Sequence, residues 1–141
     1  MGMGYGVARF TVAYWCVLLA VLMPLACAGL AKYRGFGKPR REGGYDNADP
    51  RGWLARQQGW AARANAAQAN SWEALPFFMG AVIIAHQLGA PQTRVDILAV
   101  LFITLRTIYV VMYVADLPRT RSAIWTLAFL INLVIFFSGW R

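Results

Sequence analysis

One histidine, two cysteines and six acidic residues stand among 141, and each scarcity removes a class of function. His86 alone, with Cys16 and Cys27 eleven residues apart, leaves no metal-ligand spacing. The two cysteines fall in one predicted helix, where they cannot bridge each other, and read as inert packing. His86, near a predicted helix end, reads as an interfacial residue. Acid is outnumbered by 14 basic residues, for a net charge of +8. That excess suggests nucleic acid only until its position is considered. No internal repeat or low-complexity segment stands out.

Apolar residues make up 59% of the chain. Phe10–Ala31, Val95–Ala115 and Ala123–Trp140 are runs of 18 to 22 residues nearly free of charge, the length of a membrane-spanning helix. With the segment ending at Leu88 they predict an all-α membrane protein, a bundle of four transmembrane helices at about 10–31, 60–88, 95–116 and 122–140. The whole of 1–141 is then one domain. Lys32, Arg34, Lys38, Arg40, Arg41, Arg51, Arg56 and Arg63 crowd between the first span and the apolar part of the second. The positive-inside rule puts this loop, 32–59, in the cytoplasm with Asp116, Arg119 and Arg121, and both termini opposite. Such a loop attracts anionic lipid headgroups, so no nucleic-acid partner is implied. Arg9 and Ala26–Cys27–Ala28 faintly resemble a signal sequence, but the apolar run between them is too long for one. Glycine and proline punctuate Tyr33–Pro50, and Asp49–Pro50 offers a helix start, which predicts a second helix from about Arg51 to Leu88, roughly 55 Å long.

Polar residues interrupt the spans in a pattern. From Ala74 to Leu88 only about fifteen residues are apolar, roughly 22 Å of helix, so Asn70 and Glu73 lie at or inside the membrane boundary. Arg63, Asn70, Glu73 and Phe77 share one helical stripe, as do Arg106, Tyr109 and Tyr113 on the third helix. Arg106, in mid-span, needs a partner, because a lone guanidinium there costs about 3 kcal/mol or more. Glu73 is the only acid in the second span, which predicts that the two approach one another or share Asn70 as an intermediary. Two readings stay open: a polar cluster that sets helix register and assembly, or a cleft for a charged ligand.

The stretch from Arg63–Ala64 through Gln68–Ala69–Asn70–Ser71–Trp72–Glu73–Ala74–Leu75–Pro76–Phe77 resembles the second-helix motif of the MAPEG family, the membrane-associated proteins of eicosanoid and glutathione metabolism. Arg106–Thr107–Ile108–Tyr109, Tyr113 and Arg121–Ser122 resemble that family's third-helix pattern and the Arg-Ser that follows it. The resemblance implies a homotrimer with glutathione bound as cosubstrate in clefts between subunits. It implies Gln68, Asn70, Glu73, Arg106, Tyr109 and Tyr113 as ligand-binding residues and Arg121 as the arginine that stabilises the glutathione thiolate. Arg119 is the alternative to Arg121, because the distance from Arg106 varies by a residue or so among members. Lys32, Arg34 and Arg63 are further candidate contacts. Ala66 stands where several members have a glutathione-binding arginine, Gln68 where many have histidine, and Ala74 where some have tyrosine.

The expected function is a multi-pass membrane enzyme, of bacterial cell-membrane type, that conjugates glutathione to lipophilic electrophiles or reduces hydroperoxides with it. The family resemblance also admits a noncatalytic trimeric lipid-binding or adaptor protein. Four spans with one carboxylate would suit a small proton-coupled transporter, but Asn70, mid-span Arg106 and the long second helix argue against it.

Overall fold

A computed structural model describes residues 9–141, so the first eight residues of the expected 1–141 domain lie outside it. It is all-helical. Four long helices, α1 (Val12–Lys32), α3 (Gly59–Gln87), α4 (Gln92–Val114) and α5 (Pro118–Phe137), pack up-down-up-down, with a short α2 (Pro50–Ala55) in the loop between the first two. Among the described residues, α1 with its extension to Gly35, α4 and α5 are each long and apolar enough to cross a membrane. α3 has the length, about 43 Å at 1.5 Å per residue, but Arg63, Asn65, Gln68, Asn70 and Glu73 make its first half polar.

Small residues decide how closely α1 meets α3. Ala13, Cys16, Ala20, Pro24, Cys27 and Ala31 are buried at three- and four-residue steps along α1, and Ala61, Ala64, Ala67 and Ser71 line the facing stripe of α3. Such seams let backbones approach, the usual solution where lipid offers helices no hydrophobic drive to associate. Larger side chains fill the space toward α4 and α5, where Phe78 stacks on Phe102 at 4.2 Å between centroids and Val82, Val95 and Ile135 are fully buried.

Polar clamps tie the helix ends in register. Thr11 caps α1 by accepting from the Tyr14 amide, and its hydroxyl lies 2.9 Å from His86 Nε2. His86 Nδ1 donates to the Val82 carbonyl at 2.7 Å, and its ring stacks on Tyr14 at 4.3 Å. Asp96 of α4 accepts from the Ala13 amide at 2.9 Å, a carboxylate at a helix N-terminus. At the opposite end, Arg63 Nε donates to the Val114 carbonyl at 2.9 Å and reaches Asp116 at 3.8 Å.

The expected single helix from Arg51 to Leu88 is two. Asp49 does cap a helix, accepting from the Gly52 amide with Pro50 in the first turn, but α2 ends at Ala55 and α3 starts afresh at Gly59, whose φ of +62° is left-handed backbone that glycine alone adopts without cost. The fourth helix begins about four residues earlier than expected, because Pro118 fits the first helical position. The glycine-rich loop is ordered around Trp53, which is buried, donates from its indole to the Gly43 carbonyl at 3.3 Å and meets Tyr45 edge-on at 5.3 Å.

Candidate functional site

Asn70 and Glu73 from α3, Arg106, Tyr109 and Tyr113 from α4, and Arg121 from α5 line one cleft between these three helices. The tight turn at Ala115–Leu117 makes this meeting possible. Asp116 adopts φ +62° there, a conformation Asp tolerates better than most residues, so α5 folds straight back along α4 and Arg121 faces Tyr113. The guanidinium of Arg121 lies 4.2 Å over the Tyr113 ring. Tyr113 in turn meets Tyr109 edge-on at 5.7 Å, and Arg106 lies 4.2 Å over Tyr109. Two cations and two aromatic faces thus run down the cleft as a ladder, with distances in the cation–π range.

The cleft has two parts joined at Asn70 and Trp125. The outer part, about 330 Å³, is lined by Asn70, Tyr109, Tyr113, Arg121, Ser122, Trp125 and Thr126. The inner part, about 150 Å³, is bounded by Glu73, Ala74, Phe77, Phe102, Arg106, Ala128, Phe129 and Asn132 together with the two shared residues. Four of its lining residues are aromatic, Phe77, Phe102, Trp125 and Phe129, and Arg106 beside them is only 3% exposed.

Of the two arrangements expected for Arg106, a direct approach to Glu73 or Asn70 as an intermediary, the structure shows the contact with Asn70. Its Nη2 donates to Asn70 Oδ1 at 2.8 Å and, more weakly, to Ser71 Oγ at 3.4 Å, while the Ser71 hydroxyl donates to the Ala67 carbonyl at 2.8 Å. Among the described residues no ion pair joins Glu73 to Arg106 or to any other cation. Glu73 is exposed on the surface of the single chain, and Asn70 occupies the donor between them. Asn70 is therefore the residue bonded to Arg106, with no bond from it onward to Glu73.

The other candidates lie elsewhere. Arg63 belongs to the clamp on the end of α4 and does not share the cleft with Asn70 and Glu73, contrary to the expected stripe. Lys32 lies 4.7 Å over Tyr45 and Arg34 4.6 Å over Trp60, both at the loop end of the bundle. Gln68 lines neither part of the cleft, and its Oε1 is buried without a partner. Arg119 is exposed and off the cleft.

Trp125, Phe129 and Asn132 carry no family motif and were missed. Arg121, Trp125, Phe129 and Asn132 recur at helical spacing, and Asn132 is the lone amide in an apolar span, which is the kind of signal that marks an intramembrane site.

Residues 12–139 match the family model of the MAPEG family. No curated protein and no solved structure matches the chain.

Proposed function

The chain belongs to the MAPEG family, and on that footing we propose that it is an integral membrane, glutathione-dependent transferase or peroxidase acting on lipophilic electrophiles or hydroperoxides. One observation carries the proposal. Arg106 lines the inner part of the cleft and Arg121 the outer part, the two parts share Asn70 and Trp125, and among the described residues neither cation is paired with a carboxylate. Fixed cations without anions, inside a largely apolar bundle, suit an anionic ligand. Glutathione brings two carboxylates, an ammonium group and a thiol, and Arg106, Glu73 and Arg121 offer counterparts to one carboxylate, the ammonium group and the thiolate.

When bound, glutathione supplies the thiolate nucleophile for attack on carbon or on peroxide oxygen. Arg121 lowers the thiol's pKa from about 8.5 by placing a permanent cation beside it. Tyr113 holds the guanidinium plane in place from below. Arg106, fixed by Asn70, takes a carboxylate, and Glu73 takes the ammonium group. Trp125 and Phe129, 42% and 41% exposed, offer the lipophilic substrate an apolar way in from the bilayer.

The homotrimer is part of the proposal. Glu73 is exposed in the single chain just before the apolar half of α3 begins. A carboxylate at or inside the membrane boundary is costly if it faces lipid, so a neighbouring copy that covers it is favoured. Lys32 and Arg34 do not line the cleft of their own chain, so a contact of theirs with glutathione is proposed in a neighbour's. A cytoplasmic basic loop follows from the charge asymmetry.

A noncatalytic lipid-binding or adaptor role is the second reading. Gln68 favours it, since this expected glutathione contact is off the cleft and unpartnered.

Stopped-flow ultraviolet absorbance of glutathione thiolate, on mixing with the purified protein in detergent, tests the proposal. Wild type and Arg119→Ala are expected to give the thiolate signal, and Arg121→Ala to lose it. Absence of both signal and binding at millimolar glutathione overturns the enzyme reading in favour of the second. Loss of the signal in Arg119→Ala alone overturns the assignment of Arg121.

A further inference from the structure

Arg94 stands in the first turn of α4, at the end of the bundle opposite the basic loop. Thr11, His86 and Asp96 meet at that end, and Gly139, just past α5, lies there against Leu88. A cation in the first turn opposes the helix dipole, which favours an anion at that place. Among the described residues Arg94 forms no ion pair. Asp96, two residues on, is not its partner, because positions i and i+2 do not share a helix face. Its Oδ1 already accepts from the Ala13 amide at 2.9 Å and from Gln92 Nε2 at 2.7 Å.

Arg94 borders a surface groove of about 440 Å³ whose other lining residues are Leu133, Val134, Phe137 and Ser138, the last turns of α5. Val134 and Phe137 are exposed. The Ser138 hydroxyl donates to the Val134 carbonyl at 2.7 Å, so Arg94 is the only charge in the groove. Trp15 and Trp140 are exposed at the same end, and indoles so placed mark the level of lipid headgroups. A cation thus stands at headgroup level over an apolar trough that leads toward the hydrocarbon.

We propose that this groove binds one anionic phospholipid, with its phosphate on Arg94 and an acyl chain against Leu133, Val134 and Phe137. The guanidinium fork matches phosphate oxygens. A zwitterionic lipid would bring an ammonium group that no carboxylate in the groove answers, so a net negative headgroup is favoured. A second copy of the chain, lying in the bilayer in the same orientation, has no free anion to offer at this level. Of the six acidic residues, Glu42, Asp46 and Asp49 belong to the loop, Glu73 to the cleft and Asp116 to the loop end of the bundle, and Asp96 is already bonded. The inference needs no glutathione.

Photoreactive phospholipids test it on the full chain in vesicles of phosphatidylcholine and phosphatidylglycerol in equal parts. The vesicles are doped in turn with either lipid carrying a diazirine in its acyl chain, and adducts are located by peptide fragmentation. Wild type is expected to be labelled at Leu133, Val134 and Phe137 about fivefold more by the phosphatidylglycerol probe, the order of preference that one basic residue gives at an anionic lipid surface. Leu18, exposed on α1 near the same end, is expected to take both probes alike. Arg94→Gln, a change at an exposed position, is expected to melt like the wild type and to lose the preference on α5. Equal labelling of the groove in the wild type overturns the inference, and so does a preference that survives Arg94→Gln. A preference as strong at Leu18 as on α5 overturns it in favour of diffuse attraction to the whole protein. Absence of groove adducts from both probes overturns it in favour of a second copy of the chain as the occupant.

Discussion

Asn70, and not Glu73, holds Arg106: Oδ1 accepts from Nη2 at 2.8 Å across the α3–α4 seam. The nearest other acceptor, Ser71 Oγ, is at 3.4 Å. Asn70→Ala therefore leaves a buried guanidinium with one weak hydrogen bond beside its contact with the Tyr109 ring and is expected to cost about 1.5–3 kcal/mol, the range for hydrogen bonds to charged groups. Glu73→Gln removes no bond within the chain and is expected to change stability by less than about 0.5 kcal/mol while weakening glutathione binding. Thermal or denaturant unfolding in detergent, alongside glutathione titration, separates the two. A Glu73→Gln protein as unstable as Asn70→Ala would mean that the carboxylate, after all, neutralises Arg106.

At the far end of the bundle Thr11 serves two elements at once. Its hydroxyl caps α1 and meets His86 of α3. Thr11→Ala is expected to cost about 1 kcal/mol, a typical N-cap loss, and to speed amide hydrogen exchange over the first turn of α1. Thr11→Ser, which keeps the oxygen, should exchange like the wild type. Unchanged exchange in the alanine variant would show that Asp96 alone secures that end.

The loop offers a steric test. Gly35 lies against Trp53 and the Tyr45 amide, so closely that an added Cβ would come within 3 Å of both. Gly35→Ala must displace the indole and is expected to destabilise the loop by about 1–3 kcal/mol, the usual range for overpacking. Limited proteolysis between Arg34 and Arg56 should accelerate in this variant and not in the control Lys38→Ala, where the side chain is exposed.

How much of this was legible beforehand depends on which force decided each feature. Apolar runs marked α1 and α4 to within a few residues, because burial in lipid dominates there and requires length and composition alone. The break before Gly59 was not legible, since Asp49–Pro50 starts a helix without saying where it stops, and a single left-handed glycine ended the continuity. Arg106, Tyr109 and Tyr113 were grouped correctly by helical spacing. Asn70 was legible as a partner of Arg106, but the direct pairing with Glu73, which rested on charge, did not form. Both Asn70 and Glu73 line the inner cleft, but the amide is the one within hydrogen-bonding distance of Arg106, and distance outweighed formal charge. Trp125 and Asn132 went unnoticed although their spacing from Arg121 was available, because neither belongs to a motif and the fourth span was weighed only for its length.

The ladder of Arg121 on Tyr113 makes the final prediction, and it concerns the thiolate directly. The contact runs between helices, α5 to α4, at 4.2 Å, so the ring is what fixes the guanidinium over the outer cleft. A cation–π contact of this kind is worth about 0.5–2 kcal/mol. Tyr113→Phe keeps the ring face and is expected to leave the apparent pKa of bound glutathione nearly where it is. Tyr113→Leu removes the face while retaining bulk, so Arg121 gains freedom and the thiol loses part of its stabilising charge. If the whole contact energy is expressed at the thiol, its apparent pKa rises by up to about 1.5 units, at 1.36 kcal/mol per unit. The thiolate fraction at fixed pH falls accordingly, and raising the pH restores it. Absorbance of bound thiolate across a pH series measures this for all three proteins. Equal shifts in Tyr113→Phe and Tyr113→Leu would transfer the role from the ring to the phenolic hydroxyl, making Tyr113 a hydrogen-bond donor to the sulfur instead of a platform for Arg121.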